Sequence, residues 1–455
     1  MSAAIFNSES EHCSSELDLF SAPAHQLAIE SYFNTPVLPS HPLSNQSNTI
    51  VFECPLSHEY TSLSESQLQV RLRIRQQDDT NLPAFVGNTQ AAPTQSNSVA
   101  IINGALNSIF SGVEVKLNGI SVNPNFYTNG FCSYIQNLLS YGKECLESKM
   151  ALQGWYQDHN FTLSRGDDAE SANNKKSGYY IRAQKTKLSH VWTLIGNLHN
   201  PICQESRLML PLMPIEILLT KARTEFVLQS NKAEPNFKLE ILDAKINLRR
   251  VKVLSSYKLR LEASLQSADA IYPVGTFECR PYSLDANIRS YTYNNIFPSN
   301  SCLPEFCCVM LVKSQCFTGD ISTSPYHFQA FGLEEISISF DQYHFTHHCE
   351  FQNESELDYT EPYNALFQAS GMKSNSGLSF RLEDFPNNAT YCYDFGREEA
   401  LNCEQWNGTR AGSARLNLRF NANVANEALT VLVYSEYNSV IKISKNREVS
   451  RLYNI

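Results

Sequence analysis

Three groups of residues in the 455-residue sequence carry side chains suited to chemistry. His344, His347 and His348, followed by Cys349 and Glu350, supply imidazole, thiol and carboxylate donors of the kind that hold zinc. The segment around them follows a strand pattern, however, and neighbours on a strand project to opposite faces. His347 and His348 then point apart, so an ordinary polar strand end is expected and no metal site. Arg165-Gly166-Asp167 sits in a hydrophilic excursion over residues 157–178, the exposed setting a receptor contact would need. A tripeptide also arises readily by chance in a chain of this length, and that is the reading preferred here. Glu334-Glu335 with Asp341 could in principle form an acid/base pair, but nothing else converges on them, and a solvated strand face is expected.

The common catalytic signatures are missing from the sequence. It contains no GxGxxG, GxxxxGK[ST], HExxH or GxSxG, so nucleotide-binding, zincin and hydrolase chemistry have no local foothold. No catalytic residue and no cofactor is expected, and the chain reads as a non-enzyme. Five N-x-[ST] sequons occur, at Asn45, Asn160, Asn353, Asn388 and Asn407. With no cationic and apolar leader in residues 1–30, they read as turn-forming asparagines rather than glycosylation sites.

Composition narrows the class further. Hydrophobic residues make up 42% and charged residues 18%, which is globular rather than disordered. Aromatics reach 11%, led by Phe and Tyr, side chains that suit a pleated surface. The length suggests two domains. Net charge is −10, and the eight carboxylates that precede the first cation, Arg71, account for most of it. An acidic N-terminal segment cannot neutralise phosphates, so direct sequence-specific nucleic-acid binding is not expected. The 13 cysteines are scattered with no CxxC pair, which fits a reducing compartment. The longest apolar stretch, Leu208 to Leu219, is broken by Pro211, Pro214 and Glu216 and is too short for a membrane span. The chain is expected to be soluble.

Hydrophobic periodicity then sketches the elements. Leu68, Val70, Leu72 and Ile74 alternate with Gln69, Arg71, Arg73 and Arg75, marking a half-buried strand. Val113, Val115 and Leu117 alternate again, and Asn118-Gly119 turns the chain into Ile120-Ser121-Val122 as a hairpin. Phe131, Tyr134, Ile135, Leu138 and Leu139 have helical spacing, with an end near Gly142. Further strands are expected at 189–195, 215–219, 224–228 and 237–253, the last bending or breaking near Asp243. In the second half they are expected at 274–280, 306–313, 336–345, 414–420, 428–434 and 440–443. Residues 256–268 fit either period, and a helix between two domains is preferred. Many short strands with long loops favour sandwiches or barrels over a parallel sheet.

Several blocks, in order, resemble the double jelly-roll major capsid proteins of Polinton/Maverick-type elements and related adenovirus-like viruses. They are Ile109-Phe110-Ser111-Gly112-Val113-Glu114-Val115-Lys116-Leu117-Asn118-Gly119, the helix Tyr134 to Gly142, the strand Lys245 to Val253, and Ala270-Ile271-Tyr272-Pro273-Val274. Phe317-Thr318-Gly319-Asp320 and Pro325-Tyr326-His327-Phe328 follow; position 324 is Ser where that pattern often has Asn. Residues 76–98, 157–190 and 345–412 show no match. The resemblance implies an all-β chain of two tandem eight-stranded antiparallel jelly rolls with short helices in the connections. The expected layout is a mobile acidic arm (1–45), a first roll (46–253), a helical linker (254–269) and a second roll (270–455). It further implies homotrimers of pseudo-hexagonal outline tiling an icosahedral shell, with neighbouring capsid proteins such as a penton as partners. Synthesis in the host cytoplasm and assembly in the nucleus into a virion would follow. The other readings are a receptor- or carbohydrate-binding β-sandwich and a penton-like minor capsid protein.

Overall fold

The structure, a computed structural model, describes residues 26–43, 47–82, 99–123, 127–158, 178–230, 236–297, 303–340, 343–349, 358–369, 377–395, 410–421 and 426–453. The first half carries β1 (Ile29–Val37), β2 (Thr49–Cys54), β3 (Tyr60–Gln76), β4 (Val99–Ile101), β5 (Phe110–Leu117), β6 (Ile120–Ser121), β7 (Trp192–Asn197), β8 (Ile215–Lys221), β9 (Leu228–Ser230) and β10 (Phe237–Val253). In the second run β11 (Ala270–Leu284), β12 (Ser290–Asn294), β13 (Phe306–Lys313), β14 (Leu333–Phe340), β15 (Tyr343–His348), β16 (Thr390–Asp394), β17 (Ala414–Phe420), β18 (Leu429–Ile443) and β19 (Val449–Tyr453). Short helices occupy the connections: α1 (Ala105–Ser108), α2 (Asn129–Ser140), α3 (Lys143–Glu147), α4 (Gly178–Thr186), α5 (Thr224–Val227), α6 (Ser255–Ser267), α7 (Ser314–Thr318) and α8 (Thr360–Ala369).

Sheet order defines the fold. One pair of sheets runs β1-β10-β3-β7 and β2-β8-β5-β6, with β4 and β9 forming a small separate ladder. The other pair runs β11-β18-β13-β16 and β12-β17-β14-β15, with β19 added beside β18. Within each half, eight strands therefore pair first with eighth, second with seventh, third with sixth and fourth with fifth. The eighth strand also meets the third, and the seventh meets the fourth. This is an antiparallel ribbon rolled onto itself, a jelly roll, and the chain contains two in tandem.

Local sequence explains the key strands. On β3, Leu68, Val70, Leu72 and Ile74 are buried, while Arg73 turns outward to Glu240 of β10 at 2.6 Å. Strand β10 runs unbroken from Phe237 to Val253, with register shifts at Ile241/Asp243 and Asn247/Arg249, so the expected bend near Asp243 is a bulge. Asn118 (φ 48°) and Gly119 (φ 78°) both have left-handed backbone, as a two-residue hairpin turn between β5 and β6 requires. Every residue of β13 from Phe306 to Val312 is buried, which accounts for its unbroken apolar run: both faces of the strand are covered.

Several expectations are corrected. Residues 29–37 are not part of a free arm: β1 pairs along its length with β10 as the first strand of the first roll, and Glu30 reaches Lys252 at 2.8 Å. Thr224–Val227 is a helical turn, and only Leu228–Ser230 is extended. The single strand expected at 336–345 is a hairpin of β14 and β15, while the two expected at 428–434 and 440–443 are one, β18. Helix α4 lies where no element was expected.

Candidate functional site

The histidine segment forms β15, hydrogen-bonded to β14. His347 is largely buried; its Nε2–H donates to the Cys392 carbonyl at 2.8 Å, and burial holds its pKa below the usual imidazole value. His348 faces solvent near Glu335, and His344 bonds Ser339 Oγ at 3.0 Å. Cys349 is buried, and burial pushes its thiol up to about 12. The strand pleat thus divides these donors, and among the described residues no three His, Cys, Asp or Glu side chains stand together as ligands. Glu350, Asp341 and Arg165-Gly166-Asp167 lie outside the described residues, as do Asn45, Asn160, Asn353 and Asn407. Asn388 is buried and donates to the Asp384 carbonyl at 3.1 Å, a turn-holding role. Glu335 meets Arg419 at 3.0 Å on the exposed face of β14, with Glu334 at 3.9 Å from the same guanidinium.

The structure instead concentrates specific contacts at the joint between the rolls, a feature the sequence reading missed. Helix α2 leaves the first roll in the β6–β7 connection, and its apolar face belongs to the same buried cluster as the second roll's core. Tyr134 of α2 stacks on Tyr326, with centroids 4.1 Å apart and planes at 9°, and on Trp155 from its other neighbourhood at 4.9 Å. Phe131 packs edge-on to Tyr326 at 5.6 Å and stacks with Phe317 at 5.4 Å. The Tyr326 hydroxyl, fully buried, bonds Ser108 Oγ of α1 at 2.7 Å. Burial pushes the Tyr326 pKa far above its ordinary value, so this hydroxyl stays protonated.

Two glycines make the approach possible. A Cβ on Gly130 would stand 2.8 Å from the Tyr326 hydroxyl and 3.3 Å from the Phe226 ring. Gly319 has φ 104°, and a Cβ there would meet the backbone nitrogen of Phe226 at 3.0 Å. Around this centre, Thr128 Oγ1 donates to the Cys279 carbonyl at 3.0 Å and Ser230 N to the Ile321 carbonyl at 2.6 Å. At the other end of the joint, Arg447 donates to the Pro211 carbonyl at 2.9 Å, and Tyr272 OH to the Leu208 carbonyl at 3.0 Å. Tyr272, Val274, Ile441, Ile443 and Val449, all from the second half, join the first roll's core. Phe317, Gly319, Tyr326 and Phe328, singled out above as motif residues, therefore meet at one place.

His199 closes the same joint from the first roll. Its ring bonds the Gln136 side chain of α2 and lies 4.6 Å from the Phe277 ring of β11. Burial lowers its pKa to about 3, so the imidazole is neutral. Beside it a cavity of about 350 Å³ is lined by amides, among them Gln136, Asn137, Gln153, Asn197 and Gln204. It presents no paired acid and base. Nor is any helix among the described residues long and apolar enough to cross a membrane.

No family model matches the chain. An uncharacterized protein of Caenorhabditis elegans, F54H12.2, is 21% identical over 286 residues, which are 62% of this chain and 64% of that relative. Among solved structures, a chain of the Sputnik virophage aligns over 98% of this chain and 93% of its own length, at TM-score 0.62 and 14% identity. The Faustovirus major capsid protein aligns over 94% and 92%, at TM-score 0.57 and 11% identity. The mavirus major capsid protein aligns over 97% and 93%, at TM-score 0.56 and 11% identity. At these identities the likeness establishes the fold, a double jelly roll along nearly the whole chain.

Proposed function

We propose that this protein is a structural major capsid protein whose work is self-assembly, with no catalytic role. The observation that carries the reading is the pair of complete jelly rolls held by a buried, aromatic joint, aligned end to end with capsid proteins of virophages and a giant virus. A joint of this kind fixes one roll against the other, so each chain offers two similar walls in a set relation. Three chains then offer six, the outline of a pseudo-hexagonal homotrimer that tiles an icosahedral shell. Rolling each ribbon into paired sheets also limits free strand edges, which matters where many copies crowd together. Contacts within a trimer of this kind cover roughly 2,000 Å² or more per pair, as in obligate assemblies. Contacts between trimers can be individually weak, since a closed shell multiplies them.

The blocks quoted from Ile109 to Phe328 support a closer tie to Polinton/Maverick-type elements. Under this reading the partners are further copies of the chain and a penton at the vertices. The protein is made in the cytoplasm, assembles in the nucleus and ends in the virion. The excess of acidic residues before Arg71 supports packaging without direct sequence-specific contact to nucleic acid. Negative-stain electron microscopy of the purified full chain tests the proposal: trimers or shells are expected, and a uniform population of monomers would overturn it.

A further inference from the structure

Cys308 of β13 and Cys392 of β16 are directly opposed in an antiparallel ladder, which places their side chains on one face of the sheet. Both are buried, and their sulfurs stand 2.7 Å apart, nearer than two relaxed thiols rest. Opposed residues in such a ladder have Cα atoms about 4.5–5.5 Å apart, inside the range a disulfide spans without moving the backbone. The neighbouring Cys307 is opposite Tyr393, whose hydroxyl crosses the sandwich to the Ile336 carbonyl at 3.0 Å; Cys307 therefore faces inward and cannot compete for either sulfur. On the outward row Tyr434 follows Cys308, and Cys279 follows Tyr434. Cys279 hydrogen-bonds Cys132 of α2, so this row is the surface on which the joint is built.

From this geometry we infer that Cys308 and Cys392 are a redox modification site, forming a cross-strand disulfide that ties β13 to β16 behind the joint. The oxidant is a small-molecule disulfide such as glutathione disulfide. One cysteine thiolate attacks it, forming a mixed disulfide and expelling one glutathione thiolate. The second cysteine attacks the mixed disulfide at the protein sulfur and expels the other. Two protons are released from the cysteines, which lose two electrons together, and one glutathione disulfide becomes two glutathiones. Burial raises the Cys308 thiol pKa and encloses both sulfurs, so the folded dithiol reacts slowly, and exchange takes place while the sandwich is still open. The bond closes a loop containing β14, β15 and α8, the section of the second roll between β13 and β16. This inference does not depend on the capsid reading.

The test is a peptide map of the full chain, refolded from denaturant once with glutathione disulfide and once with dithiothreitol. Free thiols are alkylated before digestion. The expected result is a linked peptide pair holding Cys308 and Cys392, two hydrogens lighter than the reduced pair, found only after oxidising refolding. In Cys392→Ala under the same conditions, Cys308 should be recovered alkylated. Full alkylation of both cysteines in the oxidised wild-type chain would overturn the inference, as would either one linked mainly to another cysteine. The wild-type map decides the matter even if the variant fails to fold.

Discussion

Tyr326 of the second roll lies flat on Tyr134 of the first, centroids 4.1 Å apart and planes 9° from parallel, with its hydroxyl held by Ser108. These residues come from different rolls and are far apart in sequence, so the stack exists only when both rolls are formed. Aromatic pairs contribute about 0.5–1.5 kcal/mol beyond the area they bury. Tyr326→Ala is expected to lower stability by about 3–5 kcal/mol, the range for a large aromatic removed from a core. Tyr326→Phe, which loses only the hydrogen bond, should cost about 0.5–1.5 kcal/mol. Urea unfolding of both, combined with Tyr134→Ala, checks the claim: additive losses would mean that the stack does not couple the rolls.

Gly130 separates two opposing effects. Alanine is the better helix former by about 1 kcal/mol, which alone would stabilise α2. Its methyl would press on the buried Tyr326 hydroxyl, which Ser108 holds, and on the Phe226 ring, an overpacking that costs about 1–3 kcal/mol. Gly130→Ala is therefore expected to destabilise. Gly275→Ala, on β11 with open space around its Cβ, should change stability by no more than about 0.5 kcal/mol. A stabilised Gly130→Ala would contradict the packing described at the joint.

Much of this architecture is written locally. The alternation in β3, the Asn118-Gly119 turn, the apolar run of β13 and the bulge of β10 each follow from neighbouring residues. Other elements are not local. The reversal between β14 and β15 is easy to pass over, because Tyr343 and Phe345 continue the period-two spacing of Ile336, Ile338 and Phe340 with only a one-residue shift of phase. Periodicity splits β18 at the polar run Ser435-Glu436-Tyr437-Asn438-Ser439, which interrupts the apolar signal although the strand continues through it with Ser435, Tyr437 and Ser439 buried. Around Gln26–Phe33 the sequence suggests only short ordered pieces within the arm, because β1 stands at a sheet edge with most residues exposed and so carries no sustained alternation. The joint was visible only as separate motifs. Ser108 and Tyr326 are brought together by tertiary folding, and nothing in either neighbourhood records the other. The histidine run drew attention by residue type, although its pleat divides the ligands.

A buried ion pair near the joint supplies another test. Arg182 of α4 meets Asp158 at 2.8 Å with both side chains almost fully enclosed, and also donates to the carbonyls of Ile101 and Tyr156. Removing one partner of such a pair leaves a buried charge unmatched and costs about 3–5 kcal/mol. Asp158→Ala should show a loss of that size in urea unfolding. A loss within experimental error would mean that water reaches Arg182.

Acid should weaken the fold through its neutral histidines. His199, His327 and His347 all have pKa values lowered by burial, His199 to about 3. Unfolded, each takes up a proton near pH 6.5, while the folded form takes one up only at lower pH. Stability is therefore complete above about pH 6.5 and falls as pH drops below it, by up to about 1.4 kcal/mol per unit for each such histidine. For His199 the decline continues towards pH 3. His199→Gln should flatten the slope measured by urea unfolding between pH 6.5 and 4.5, and an unchanged slope would show that His199 is protonated in the folded chain.

The mass of the purified full chain in solution tests the central claim most directly. Light scattering on a size-exclusion column should give three times the 51.4 kDa of one chain, or larger shells built from that unit. A single 51.4 kDa species that persists as concentration rises would contradict it.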